Sequence, residues 1–158
     1  RRNMSDEMLR AIADKGGVIQ INFYPVFLSD AFAKTLADSG LESKSWTEQD
    51  WISDPLNPAK AAAWNAVQDE LAALPRPSYK DVVDHIDHAV RVAGIDSVGI
   101  GSDFDGIEVT PVGLENVSKI RVIFDEMSRR GYTDDLIEKV AGRNFLRVFN
   151  EVSEQAAI

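Results

Sequence analysis

The 158-residue sequence contains no cysteine. That excludes disulfides, thiolate metal sites and a thiol nucleophile, and it carries no information on redox compartment. No apolar run approaches the ~18 residues of a membrane span, so no transmembrane segment is expected. Positive charge is in short supply: 17 Lys and Arg stand against 26 Asp and Glu, a formal net charge of −9. A phosphate backbone is bound by a basic stripe, so nucleic acid is excluded as a partner. The chain opens Arg1-Arg2-Asn3, with neither an initiator methionine nor the apolar region of a signal peptide. The expectation is a piece of a longer protein.

What is present is organised around Ser97-Val98-Gly99-Ile100-Gly101-Ser102-Asp103-Phe104-Asp105-Gly106. A short apolar, glycine-containing run that ends in two carboxylates reads as a buried strand with its acids at the carboxyl end. In parallel α/β proteins that end gathers the loops that bind ligands, which makes Asp103 the first candidate for a chemical group.

The rest of the chain reads as helices and strands in alternation. Asn3 or Ser5 caps a first helix carrying Met8, Leu9, Ile12 and Ala13, stopped by Gly16-Gly17. Val18-Ile19-Gln20-Ile21-Asn22-Phe23 follows as a β-branched strand. Residues 24–79, punctuated by Pro55, Pro58, Pro75 and Pro77, read as an inserted helical excursion. Within it Ser29-Asp30 and Ser45-Trp46-Thr47 look like helix starts, and Pro58 to Leu74 is a helix rich in alanine. Trp46, Trp51 and Trp64 are expected to pack a small core rather than to form a substrate lid. Val82, Val83, Ile86, Ala89, Val90 and Ala93 share one helical face before Gly94 and the central strand. Beyond it, Val117, Ile120, Ile123, Phe124 and Met127 outline another helix, and Thr133 caps a further one. Phe145, Leu146, Val148, Phe149 and Val152 make an apolar closing helix. The pattern is α/β with a parallel sheet. Two strands do not close a barrel, and a (β/α)8 barrel takes about 250 residues, so the chain reads as the C-terminal part of something larger.

Several side chains invite a functional reading. A calcium loop opening at Asp103 fails on spacing, because its sixth and twelfth positions hold Glu108 and Leu114 rather than glycine and glutamate. Asp105, beside Gly106, reads as turn chemistry. His85 and His88 stand three residues apart on a helix, a weaker pattern than the i, i+4 pair of helical zinc enzymes. Packing or helix-surface roles suit them better than metal binding. Arg1 and Arg2 read by position as solvated charge, although a guanidinium is well suited to gripping a carboxylate with two bonds.

Taken in order, Arg2-Asn3, residues 18–23, Asp84-His85-Ile86-Asp87-His88, residues 98–106, residues 111–119 and Asn144-Phe145-Leu146-Arg147-Val148-Phe149 resemble one family. It is that of the renal (membrane) dipeptidases and their bacterial relatives, within the metal-dependent amidohydrolase superfamily. The resemblance spans nearly the whole chain apart from about residues 25–78. It implies the C-terminal portion of a TIM-like (β/α)8 barrel with a helical insertion over 24–79, the N-terminal part of the domain lying outside this chain. It further implies hydrolysis of the peptide bond of dipeptides by two Zn2+ ions with a metal-bridging hydroxide. Asp103 matches the proton-shuttling acid, and Arg2 the arginine that pairs with the substrate's terminal carboxylate. The family's metal ligands precede Arg2, so no metal ligand is expected here, and His85 and His88 match positions that are not ligands. The partners implied are a dipeptide and the N-terminal part of the same barrel, and a homodimer is compatible with it. Two rival readings stand beside it: another amidohydrolase activity, on β-lactams or N-acyl amino acids, and a non-catalytic peptide-binding remnant.

Overall fold

The computed structural model describes residues 3–44 and 46–156, the side chains of 42, 43, 46 and 47 excepted. The chain begins with α1 (Asp6–Asp14), whose N-terminal amides are met by Ser5: its hydroxyl accepts from the Met8 N–H, and Asp6 and Glu7 occupy the first turn. Gly16, at φ 74°, turns the chain into β1 (Ile19–Asn22). The excursion follows as α2 (Pro25–Leu28), α3 (Asp30–Ser39), α4 (Trp46–Ser53) and α5 (Pro58–Ala73). Ser29 caps α3, while Asn57 caps α5 with its side-chain oxygen. Next comes α6 (Tyr79–Ala93), opened by a capping box in which Ser78 and Asp81 satisfy each other's backbone amides. Gly94 ends it, and β2 (Val98–Ser102) runs beside β1. The chain closes with α7 (Arg121–Arg129), α8 (Asp134–Glu138), a π-helical turn at Lys139–Arg143 and α9 (Asn144–Ala156).

The two strands pair in parallel, Ile19 with Val98, Gln20 with Gly99 and Ile21 with Ile100, and a bulge then sets Asn22 against Ser102. Gly101 of β2 is there for closeness. A Cβ on it would lie 3.0 Å from the Ile21 carbonyl oxygen, whereas one on Gly99 would meet the flexible end of the Gln20 side chain. α6 covers the pair with the face read from its periodicity: Val82, Val83 and Ile86 are fully buried with Phe23, Val98, Ile123 and Met127. Each such side chain contributes roughly 1.5–3 kcal/mol of burial. Asn144 pins α9 to the strand from beneath, donating to the Ile95 and Val98 carbonyls at 2.7 and 2.8 Å. A second core lies apart from the first and belongs to the excursion: Phe32, Leu36, Leu41, Val67 and Leu71, joined by Val109 from the loop after β2.

The fold is a mostly helical α/β arrangement. Among the described residues the sheet has two strands and no barrel closes, as the short pairing requires. One local expectation is corrected. Val117 lies in a separate 3-10 turn, Val117–Lys119, which Asn116 caps, and is exposed rather than part of the α7 face. The Trp51 and Trp64 rings stack at 6.3 Å, half-buried, and Trp64 lines a cavity with Leu36, Leu41, Val67 and Leu71 of the excursion's core, while the Trp46 side chain lies outside the described residues. The closing helix α9 forms as read; among the described residues its apolar side chains Phe145, Leu146, Phe149 and Val152 are exposed, while Asn144 and Arg147 take the inward positions.

Glu126 on α7 is buried and ionised. Arg129 and Arg130 both donate to it, and these bonds hold its carboxyl down at about 2. Arg130 reaches on to Asp84 and Asp87 of α6 at 2.6 and 2.7 Å, and the Tyr132 hydroxyl donates to Asp87. Burial and that acceptor push Tyr132 up to about 12. A carboxyl whose folded value is depressed stabilises the fold above its ordinary value of 4.5 and loses that contribution as pH falls toward about 2. Glu126→Gln in the full-length protein is therefore expected to lower Tm at pH 7, with the gap to wild type narrowing below pH 4.5. Thermal melts across that range check this.

Candidate functional site

The carboxyl ends of the two strands meet at residues 22 and 102–106. The backbone ladder extends one step past β1, with the Phe23 N–H donating to the Ser102 carbonyl at 2.8 Å. The chain then leaves β2 through two residues in the left-handed region, Ser102 at φ 55° and Asp103 at φ 101°. Conformations of this kind cost about 1–3 kcal/mol each in side-chain-bearing residues and are kept where surrounding contacts impose them. Here the contacts are visible. Phe104 packs edge-on against the buried Phe23, ring centres 5.6 Å apart, and the Gly106 N–H closes the turn on the Asp103 carbonyl at 3.0 Å.

The Asp103 side chain is half-buried and held on one side. Asn22 Nδ2 donates to its Oδ2 at 2.8 Å, while the Asn22 Oδ1 accepts from the Tyr24 N–H at 2.7 Å. The other carboxylate oxygen, Oδ1, lies over Gly106, where an added Cβ would come within 2.4 Å of it. Among the described residues Oδ1 accepts no hydrogen bond. A carboxylate fixed through one oxygen and open at the other is suited to taking up and releasing a proton at a defined atom. Asp105 is exposed in the same turn.

The other candidates are not gathered here. His85 Nε2 lies 3.1 Å from the Leu28 carbonyl and so donates to α2, while His88 Nε2 sits 2.8 Å from Asp6 Oδ1 at the start of α1. Both histidines thus tie α6 to its neighbours. Among the described residues no three His, Cys, Asp or Glu side chains group to hold a metal ion. Arg2 lies outside the described residues. Its neighbour Asn3 donates to the Phe27 carbonyl at 2.8 Å, which fastens the start of the chain to α2. Sequence reading missed Asn22. A signal was there: a polar side chain closes a run of β-branched residues on β1, as Asp103 follows the apolar run of β2.

The profile of the family described as membrane dipeptidase (peptidase family M19) matches residues 1–157. Among curated proteins, the chain is 33% identical over 151 residues to an uncharacterised dipeptidase of Schizosaccharomyces pombe, covering 95% of this chain and 26% of that protein. Among solved structures, the probable dipeptidase PvdM from Pseudomonas aeruginosa aligns with TM-score 0.68 and 32% identity, over 97% of this chain and 41% of that one. A metallopeptidase from Rhodobacter sphaeroides, liganded with a phosphinate mimic of the dipeptide L-Ala-D-Ala, shares the fold at TM-score 0.59 and 23% identity. That alignment covers 91% of this chain and 30% of that one. The chain therefore spans about a quarter of the curated relative's length and about two fifths of the PvdM chain.

The narrow gap over Gly106 yields a test of the geometry. Gly106→Ala sets a methyl against an oxygen that Asn22 and the backbone turn keep from retreating. Overpacking of this kind costs about 1–3 kcal/mol. The variant of the full-length protein is expected to unfold at lower denaturant with an unchanged m-value, whereas Gly131→Ala, where nothing lies within 4 Å, tests φ strain alone.

Proposed function

Because the chain belongs to the membrane dipeptidase family, peptidase family M19, we propose that it is part of a hydrolase that cleaves the amide bond of dipeptides, with Asp103 as its proton-transferring acid. The observation that carries this reading is Asp103 itself, held at the carboxyl ends of parallel strands with one oxygen bonded and one open. In this reading the two strands belong to a TIM-like barrel completed by chain outside residues 1–158.

Amide hydrolysis needs a proton removed from the attacking water and one delivered to the departing amine, which is a poor leaving group until protonated. Asp103 does both in turn: its carboxylate takes the proton at Oδ1, and the resulting acid returns it to the nitrogen. Oδ2 stays on Asn22 throughout, so the exchange is confined to one oxygen.

The family's expected metal pair would polarise the scissile carbonyl and supply an acidified water. The residues described here do not fit it: no three donors converge, and His85 and His88 are engaged by Leu28 and Asp6. The ligands are accordingly assigned to chain outside these residues, and the contribution of this segment is the acid and a substrate contact. For the substrate contact we propose Arg2, whose guanidinium offers two parallel donors to a terminal carboxylate.

Two measurements on the full-length enzyme test these roles. Asp103→Asn keeps size and polarity but does not titrate, and is expected to lower kcat about 10²–10⁴-fold with metal content and KM little changed. Near-normal kcat removes Asp103 from the mechanism. Arg2→Lys is expected to cost roughly 1.5–3 kcal/mol in kcat/KM for free dipeptides, the size of a charged hydrogen-bonded contact. The loss shrinks for C-terminally amidated substrates, and equal losses on both contradict the clamp.

A further inference from the structure

We infer that Asn22 is a positioning residue for the proton transfer, fixing which oxygen of Asp103 exchanges the proton and in which direction it points. The inference rests on the catalytic reading of Asp103 and adds to it the residue through which that acid is oriented. It begins with the Asn22 amide, which is held in one orientation by its own backbone. Oδ1 accepts from the Tyr24 N–H two residues on, at 2.7 Å. An amide turned by half a rotation would set its NH2 group against that N–H, donor facing donor, so the group presented to Asp103 is the donor Nδ2. It meets Asp103 Oδ2 at 2.8 Å across 81 residues of sequence.

The backbone is arranged to make this contact. β1 and β2 run in register through Ile21 and Ile100, and the bulge then advances β2 by one residue so that Asn22 pairs with Ser102 rather than Gly101. Ser102 and Asp103 leave the strand at positive φ. On the far side the missing Cβ of Gly106 gives Oδ1 its room. A neutral amide donor on Oδ2 and an open side at Oδ1 divide the carboxylate into a fixed oxygen and a working oxygen. A proton shuttle profits from that division, because a misplacement of about 1 Å in a reacting group costs on the order of 10²-fold in rate.

Asn22→Asp isolates the donor. It has the same shape and keeps an oxygen for the Tyr24 N–H, but it puts a carboxylate where Nδ2 stood. In the full-length enzyme kcat is expected to fall on the order of 10–100-fold while KM stays within about threefold. Asn22→Ala, which adds no charge, serves if the first variant does not fold, and is expected to move kcat in the same direction. Either variant is then combined with Asp103→Asn. A residue that acts only through Asp103 has nothing left to position there, so kcat of the double variant equals that of Asp103→Asn alone. The pair Asn22→Asp with Asp103→Asn also restores a donor and an acceptor with roles exchanged, so its Tm recovers toward wild type although its kcat does not. Asn22 variants with wild-type kcat overturn the inference while leaving Asp103 in place if Asp103→Asn is inactive. Further loss of kcat in the Asp103→Asn background also overturns it, since Asn22 then acts by another route. Full activity of Asp103→Asn instead removes the reading on which the inference stands.

Discussion

The parallel pairing of Ile19–Asn22 with Val98–Ser102, together with the bulge that ends it, is the contact from which the rest of the structure follows. Parallel strands cannot be joined by a tight hairpin, so the chain between them must leave the sheet, build a crossover and return. That crossover here holds the four excursion helices and α6, and α6 lies on both strands. The pairing fixes more than topology. A shift of one residue would turn Ile19 and Ile21 from one side of the sheet to the other and would separate Asn22 from Asp103. Register and site are therefore selected together.

Polar groups complete what the small sheet begins. Two strands present little hydrophobic surface, and the helices around them are held by directed bonds to backbone as well as by packing. Asn144 bonds to the carbonyls that flank the start of β2, and Arg147 bonds to those of Gly16 and Asp96 at the amino-terminal ends of the strands. The buried Glu126 with Arg130 does the same for α6 and α7. A buried ionised group is tolerated because each of its oxygens is met by a guanidinium donor; removing one partner would strand the other. Asn144 and Arg147 thus fasten the amino-terminal ends of the strands, while the carboxyl ends carry Asn22 and Asp103.

Much of this was legible in the residues. The strands at 19–22 and 98–102, the amphipathic face of α6, the cap at Ser5 and the acid at the end of the central strand all follow from periodicity and local chemistry, which act over a few residues. What escaped was set by tertiary contact. Asn22 reads as the last polar residue of a strand, and its partner stands 81 positions away. Glu126 draws no reading from the sequence, since nothing local announces that two arginines and α6 will cover it. The aromatic and aliphatic residues of α9 read as an apolar closing helix because their spacing is right. Spacing specifies a face, not its cover, and in these residues that face stays exposed.

The separation of the two hydrophobic clusters has a consequence for how this protein changes over evolutionary time. Packing defects are felt by neighbours in van der Waals contact and fade beyond them. A drift in Leu36, Val67 or Leu71 is therefore felt first within the excursion, and Val83, Ile86 and Val98 are linked to it through α2, whose Leu28 packs in the first cluster and Val26 against the second. It also reaches Val109, which belongs to the excursion's cluster and lies six residues after Asp103 on the loop leaving β2. Variation in the excursion's helices is accordingly transmitted to the rim of the site through Val109, while the paired strands that form its floor belong to the other cluster.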